Sequence, residues 1–232
     1  MNPPTIYTPA SDTQVNPGLS FRRGTLQDVD FITQAVLEAE RSGTPRAMYE
    51  SVFGLSEPEV RALVRAILDQ DIPGCELCCG SFVLACDGPT PVGALATWVE
   101  GEEGPSSLVR ATLLVEQLGA SRWAQAQAPL RLVAEVDIAR EAGALQIESI
   151  FVVAEQRGRR ITEAMIAYAL AKHRHTHPSV RRAQVLTVLE NVASANALRH
   201  AGFTVKSRAS SQNPDLGRWF PGSGRLLWER DL

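Results

Sequence analysis

Lysine is nearly missing from this chain: 21 of its 23 basic residues are arginine, and only Lys172 and Lys206 complete the set. Chemistry that depends on a lysine amine, Schiff-base formation above all, has almost nothing to draw on. Cysteine is scarce too. Cys75, Cys78, Cys79 and Cys86 are too few for a disulfide scaffold in 232 residues, and Cys75 and Cys78 form a C-x2-C pair with no second pair at zinc spacing. Buried thiols beside a strand are the expected state, and no metal is expected. No run approaches the ~20 apolar residues of a bilayer-crossing helix. The opening MNPPTIYTPASDTQVNPG has neither the charged nor the apolar region of an export signal. The expected location is therefore the cytoplasm, with no membrane partner. A basic excess is also absent: 26 acidic against 23 basic residues give a net charge of -3. That argues against a protein acting on nucleic acid by neutralising phosphates.

What remains is ordinary globular material, 44% hydrophobic and 21% charged, enough for one large domain. Residues 1–18, rich in Pro, Thr, Ser and Asn, read as a flexible leader, and 19–232 as a single domain. Leu19 to Arg22 is a short strand. Thr25 and Asp28 have the spacing of a helix-capping box before Val29, Ile32, Val36 and Leu37, and Ser56-Glu57-Pro58-Glu59 opens a second amphipathic helix. Ser81 to Cys86 and Val92 to Glu100 make a hairpin around DGPTP. Residues 101–143 read as a helical insertion with two runs, the second from Leu130 to Ala142 opened by Pro129. Leu145 to Val153 is a fourth strand, Arg160 to Lys172 a helix, and Arg182 to Leu189 a fifth strand. Ser194 to His200 is a short helix, followed by strands at Phe203 to Arg208 and Arg225 to Glu229. The fold class is thus α/β: a mixed sheet of about seven strands with flanking helices, its fourth and fifth strands parallel by the crossover rule.

Chemistry concentrates after the fourth strand. Glu155-Gln156-Arg157-Gly158-Arg159-Arg160-Ile161-Thr162 runs from a strand through a glycine turn into a helix start. Such a start presents free N–H groups and a positive dipole end, and three arginines add charge, which suits a pyrophosphate. An exposed arginine-rich turn would look the same. His173, His175 and His177 read as a solvated helix end, and Glu100, Glu102 and Glu103 as a solvated turn.

Taken in order, four segments resemble the GNAT superfamily of acyl-CoA-dependent N-acetyltransferases. They are Arg22-Arg23-Gly24-Thr25-Leu26-Gln27-Asp28; Ile147 to Val152 followed by Arg157-Gly158-Arg159; Asn191-Val192-Ala193-Ser194 with Leu198 and Gly202-Phe203; and Arg225 to Leu232. The resemblance implies acetyl-CoA (coenzyme A) as the acyl-donor substrate and an amine as acceptor. It implies pantetheine contacts along Phe151, Val152 and Val153, with the Val152 N–H facing the thioester oxygen. It also implies phosphate contacts at Arg157, Gly158, Arg159, Arg160, Ile161 and Thr162, further cofactor contacts at Asn191 and Ser194, and Glu148 as general base. Three positions depart from the family pattern. Arg160 and Thr162 fill slots usually held by small residues, and Leu198 stands where a tyrosine often serves as general acid, with Tyr168 and His200 as substitutes. The insertion is expected to cover the acceptor side of the cleft, and contact with a second subunit as a homodimer is the runner-up. A binding module that holds acyl-CoA without transferring the acyl group remains the alternative.

Overall fold

The computed structural model describes residues 18–232, so all of the expected leader except Gly18 lies outside the described residues. Seven strands form one sheet: β1 (Leu19–Arg23), β2 (Phe82–Asp87), β3 (Thr90–Val99), β4 (Leu145–Val152), β5 (Arg182–Val188), β6 (Thr204–Ser210) and β7 (Gly224–Asp231). Their order is β1-β2-β3-β4-β5-β7-β6. Neighbours are antiparallel except β4 and β5, which are parallel as a helical crossover requires. The flanking helices are α1 (Val29–Arg41), α2 (Met48–Phe53), α3 (Glu57–Leu68), α4 (Ser106–Ala134), α5 (Ile161–Thr176) and α6 (Val192–His200). Among the described residues no helix is long and apolar enough to cross a membrane.

Period-two alternation sorts the two layers. In β2, Phe82, Leu84 and Cys86 enter the core shared with α1 to α4, while Val83 and Ala85 enter the opposite core with α5 and α6. Both faces are buried, which explains why this strand reads as an almost unbroken apolar run. Gly93 sets the approach of α5 to the sheet: a Cβ there would lie 3.1 Å from Met165 Sδ and 3.3 Å from Ile161 Cγ2. Because Ile161 is the first residue of α5, that contact fixes where the helix start lies. At the entry to α1 the expected box forms, with Asp28 accepting from Thr25 N (3.0 Å) and Thr25 Oγ1 (2.9 Å). Arg22 adds a bidentate pair to the same carboxylate at 2.7 and 2.6 Å, which holds it below the usual carboxylate range against the opposing effect of burial.

Several expectations need correction. The segment between the first two long helices holds α2, a helix too short for its apolar spacing to stand out. The insertion is one helical rod broken at Gly119 (φ 74, ψ 160); Pro129 lies inside its second half rather than opening it, and residues 135–143 leave the helix. Leu113, Leu114, Ala126 and Val133 bury in the α1–α4 core, so the insertion belongs to that core. Leu108 stays exposed. Glu100 is buried: its carboxylate accepts from Ser106 N (2.9 Å), Ser106 Oγ (2.6 Å) and Trp98 Nε1 (3.2 Å), satisfying donors at the start of α4. His173 also faces inward, with Nε2 3.2 Å from Thr97 Oγ1, whereas His175 is exposed. All four cysteines are buried free thiols, and among the described residues no group of three or more His, Cys, Asp or Glu could hold a metal ion.

Candidate active site

The site begins with a broken ladder. β4 and β5 pair only at Leu145↔Ala183 and Gln146↔Gln184. The closed end is held by the buried side-chain bond from Gln146 Nε2 to Gln184 Oε1 (3.2 Å). Beyond it the strands part. A bulge in β4 contributes: Ala94 and Ala96 of β3 face Phe151 and Glu148, so β4 carries one extra residue, and Ser149 takes φ 50. The bulge bends the strand away from β5 and turns Glu148 toward the gap.

Two connected spaces result, sharing Glu38, Gly43, Ile150, Asn191 and Ser194 in their walls. The outer cleft, about 930 Å³, runs past Ile150, Phe151 and Val152 to the turn before α5 and to α6. The inner cavity, about 200 Å³, lies between Glu148 and Ile150 on one side and Val185 to Val188 on the other. Along the cleft, Val153 N–H donates to Val92 O at 3.0 Å on the β3 side. Strand alternation therefore turns the N–H and carbonyl of Val152 toward the cleft, where β5 offers no partner. The carbonyl is covered: Arg157 Nε donates to Val152 O at 3.1 Å. Arg157 thus folds back on the strand instead of projecting from the turn.

Gly158 (φ 79) makes the turn, and Arg160 caps α5 with φ 56. Arg160 therefore holds the left-handed conformation that glycine adopts without strain, in the slot where the family pattern has glycine. Its guanidinium is mostly exposed, 3.5 Å from Glu163. Arg159 hydrogen-bonds Gln156. Replacing Arg160 with glycine should raise stability by about 1 kcal/mol through relief of this strain. Urea unfolding of this variant checks it, and a fall in stability would show that the side chain matters more than the backbone.

At the inner end, charged groups crowd together. Arg140, from residues 135–143, donates to Glu148 Oε1 through Nε (3.0 Å) and again through Nη2. Arg110 of α4 pairs with Glu76 at 2.8 Å, and Arg225 of β7 pairs with Asp137. Arg110 is held well above its ordinary value by Glu76, and Arg225 is lowered by burial despite Asp137.

The structure brings most of the expected residues to one place. Glu148, Phe151, Val152, Arg157, Gly158, Arg160, Ile161, Thr162, Asn191 and Ser194 all line the two spaces. Arg159 lies in the same turn, and Val153 packs against the cores on both faces of the sheet. Asn191 also caps α6 by accepting from Ser194 N (3.1 Å). Leu198 is fully buried against the cleft, and His200 lines it. Tyr168 stacks on Phe21 at 5.2 Å, beside the far edge strand β1, and does not line either space. Sequence reasoning missed Glu40, Arg110, Arg140 and Arg225. One signal was available for Glu40: a carboxylate in the last turn of α1 faces the negative end of the helix dipole.

No family model matches the sequence and no curated protein matches it. Solved structures do. An N-acetyltransferase from Staphylococcus aureus Mu50 is similar with a TM-score of 0.63 at 14% identity, over 90% of this chain and 99% of that one. An agmatine N-acetyltransferase mutant in its apo form gives 0.57 at 11% identity, over 93% and 100%. A GNAT-family acetyltransferase from Streptococcus agalactiae 2603 gives 0.53 at 12%, over 93% and 96%. This chain has the fold of the GNAT N-acetyltransferases.

Proposed function

We propose that the protein transfers an acetyl or other short acyl group from acyl-CoA to a primary amine, by direct attack in a ternary complex. The observation that carries this reading is the parting of β4 from β5, with an anion-suited helix start at one end of the gap and a carboxylate-rich cavity at the other. In this reading the pantetheine arm pairs with β4 from Ile150 to Val152 like an added strand, displacing Arg157 from the Val152 carbonyl. The released guanidinium then joins Arg159 and Arg160 near the pyrophosphate, which takes N–H groups between Gly158 and Thr162. Asn191 and Ser194 border the arm from the α6 side.

The Val152 N–H faces the thioester oxygen, where negative charge develops as the amine attacks. Glu148 accepts a hydrogen bond from the amine, its other oxygen fixed by Arg140. The departing thiolate, with a conjugate acid near ~8.5 if it resembles a cysteine thiol, leaves without a protonated side chain, so Leu198 does not prevent turnover. Leu198 does favour a second reading, an acyl-CoA-holding module without transfer. A thiol-release assay with acetyl-CoA and a panel of amines tests the proposal. Release that depends on an amine is the expected result, whereas CoA binding with no release for any amine would support the second reading.

A further inference from the structure

The inner cavity holds one carboxylate that nothing answers. Glu76 has Arg110, Glu148 has Arg140, and Asp137 has Arg225. Glu40, in the last turn of α1, lines the same cavity, and among the described residues no hydrogen bond or ion pair reaches it. Counting Glu38 with its partner Arg41 and Asp137 with Arg225, four arginines stand against five carboxylates, so the cavity is one positive charge short of neutrality while Glu40 is ionised. Unpaired charge at a partly buried position is costly unless a ligand supplies the partner.

Resting on the acyl-transfer reading, we propose that Glu40 is the base that takes the proton from the acceptor, and that the acceptor is a compact amine entering as its ammonium form, which fills the missing charge. Glu148, tied to Arg140, orients the nitrogen. The steps balance. The ammonium gives one proton to the Glu40 carboxylate; the freed lone pair attacks the thioester carbonyl carbon. The C–N bond forms, the C–S bond breaks, and the sulfur leaves with its electron pair. The nitrogen's second proton neutralises that thiolate, and Glu40 returns the first to solvent. The sum is ammonium plus acyl-CoA giving amide, free CoA and one proton.

The surroundings suit that task. Burial pushes the Glu40 carboxyl up to about 7; Glu76 and Glu148 act in the same direction, and Arg110 and Arg225 oppose them. Arg140, paired with Glu148, and Glu38, on the same helix as Glu40, complete the charged wall. From α2, the buried Tyr49 hydroxyl, which has no hydrogen-bond partner, feels the Glu40 charge and is itself pushed well above its usual value by burial. A base poised near neutrality transfers protons most efficiently at working pH.

The test is the pH dependence of kcat/KM for amine-driven thiol release by wild type, Glu40→Gln and Glu148→Gln, with CoA affinity measured on each. The wild-type rate should rise through about 7. Glu40→Gln should keep CoA affinity, lose about 10²-fold or more in kcat/KM at neutral pH, and lack that rising limb. It should respond only as the amine itself deprotonates. Glu148→Gln should raise KM and keep the limb. If the wild type is active and Glu40→Gln retains both the rate and the limb, the proposal is wrong. It is equally wrong if the limb disappears in Glu148→Gln instead. No thiol release by wild type with any amine would overturn the acyl-transfer reading itself.

Discussion

Replacing Arg110 with methionine should cost about 3–5 kcal/mol of stability, because it strands a buried charge. Glu76 is 5% exposed at its side chain, and Arg110 Nη1 sits 2.8 Å from its Oε1. Burial alone would raise the Glu76 carboxyl, yet Arg110 and Arg140 together bring it below the usual range. With Arg110 gone, burial prevails over what Arg140 alone supplies. The variant should therefore recover part of its stability on mild acidification, as Glu76 becomes neutral. Replacing both partners, Glu76→Leu with Arg110→Met, should restore most of the loss, since two apolar side chains of similar volume leave nothing unpaired. Urea unfolding of the two variants decides it. A loss below about 1 kcal/mol in the single variant would mean that water reaches Glu76 and screens it.

A second large effect should come from acid. The His173 ring is buried against Thr97, its Nδ1 has no partner, and it stacks on His177 with centroids 5.1 Å apart. Burial lowers its pKa to about 4, with His177 and Lys172 acting in the same direction. In the unfolded chain the ring titrates near ~6.5. Between those values the unfolded state binds the extra proton, so stability is fully present above ~6.5 and falls as pH drops toward 4. The difference is worth about 3 kcal/mol. Histidine 173 replaced by glutamine keeps a hydrogen-bonding group near Thr97 without the titration. Its stability should change less than that of the wild type between neutral pH and the acid end of the range, and parallel curves for the two proteins would remove His173 as the cause.

The parts of this molecule that could be read from sequence are those governed by short-range patterns. β2 and β3 announce themselves as apolar runs because both faces of the sheet are covered there. The box at Thr25 and Asp28 and the one at Ser56 and Glu59 sit before regular apolar spacing, so α1 and α3 are equally plain. The strand, glycine turn and helix start around Gly158 lie within one stretch of chain, and so the anion end of the cleft was legible.

The inner cavity was not, for a physical reason. Its charges arrive from α1, α4, residues 135–143, β4 and β7, and only the folded chain brings them together. Arg140 lies eight positions before Glu148 with no periodic relation to it, yet it occupies one oxygen of that glutamate. Glu100 and His173 lie in polar runs and look solvated, yet Glu100 is buried against Ser106 and Trp98 and His173 against Thr97. Arg160 stands in a glycine slot, and the backbone takes the glycine conformation regardless.

The central claim is that the gap between β4 and β5 receives coenzyme A. Calorimetric titration with CoA addresses it without any knowledge of the acceptor. The account predicts saturable one-to-one binding that weakens as salt is raised, since arginine charge near the helix start contributes part of the affinity. No binding heat at millimolar CoA, at low salt and at two temperatures, would contradict it.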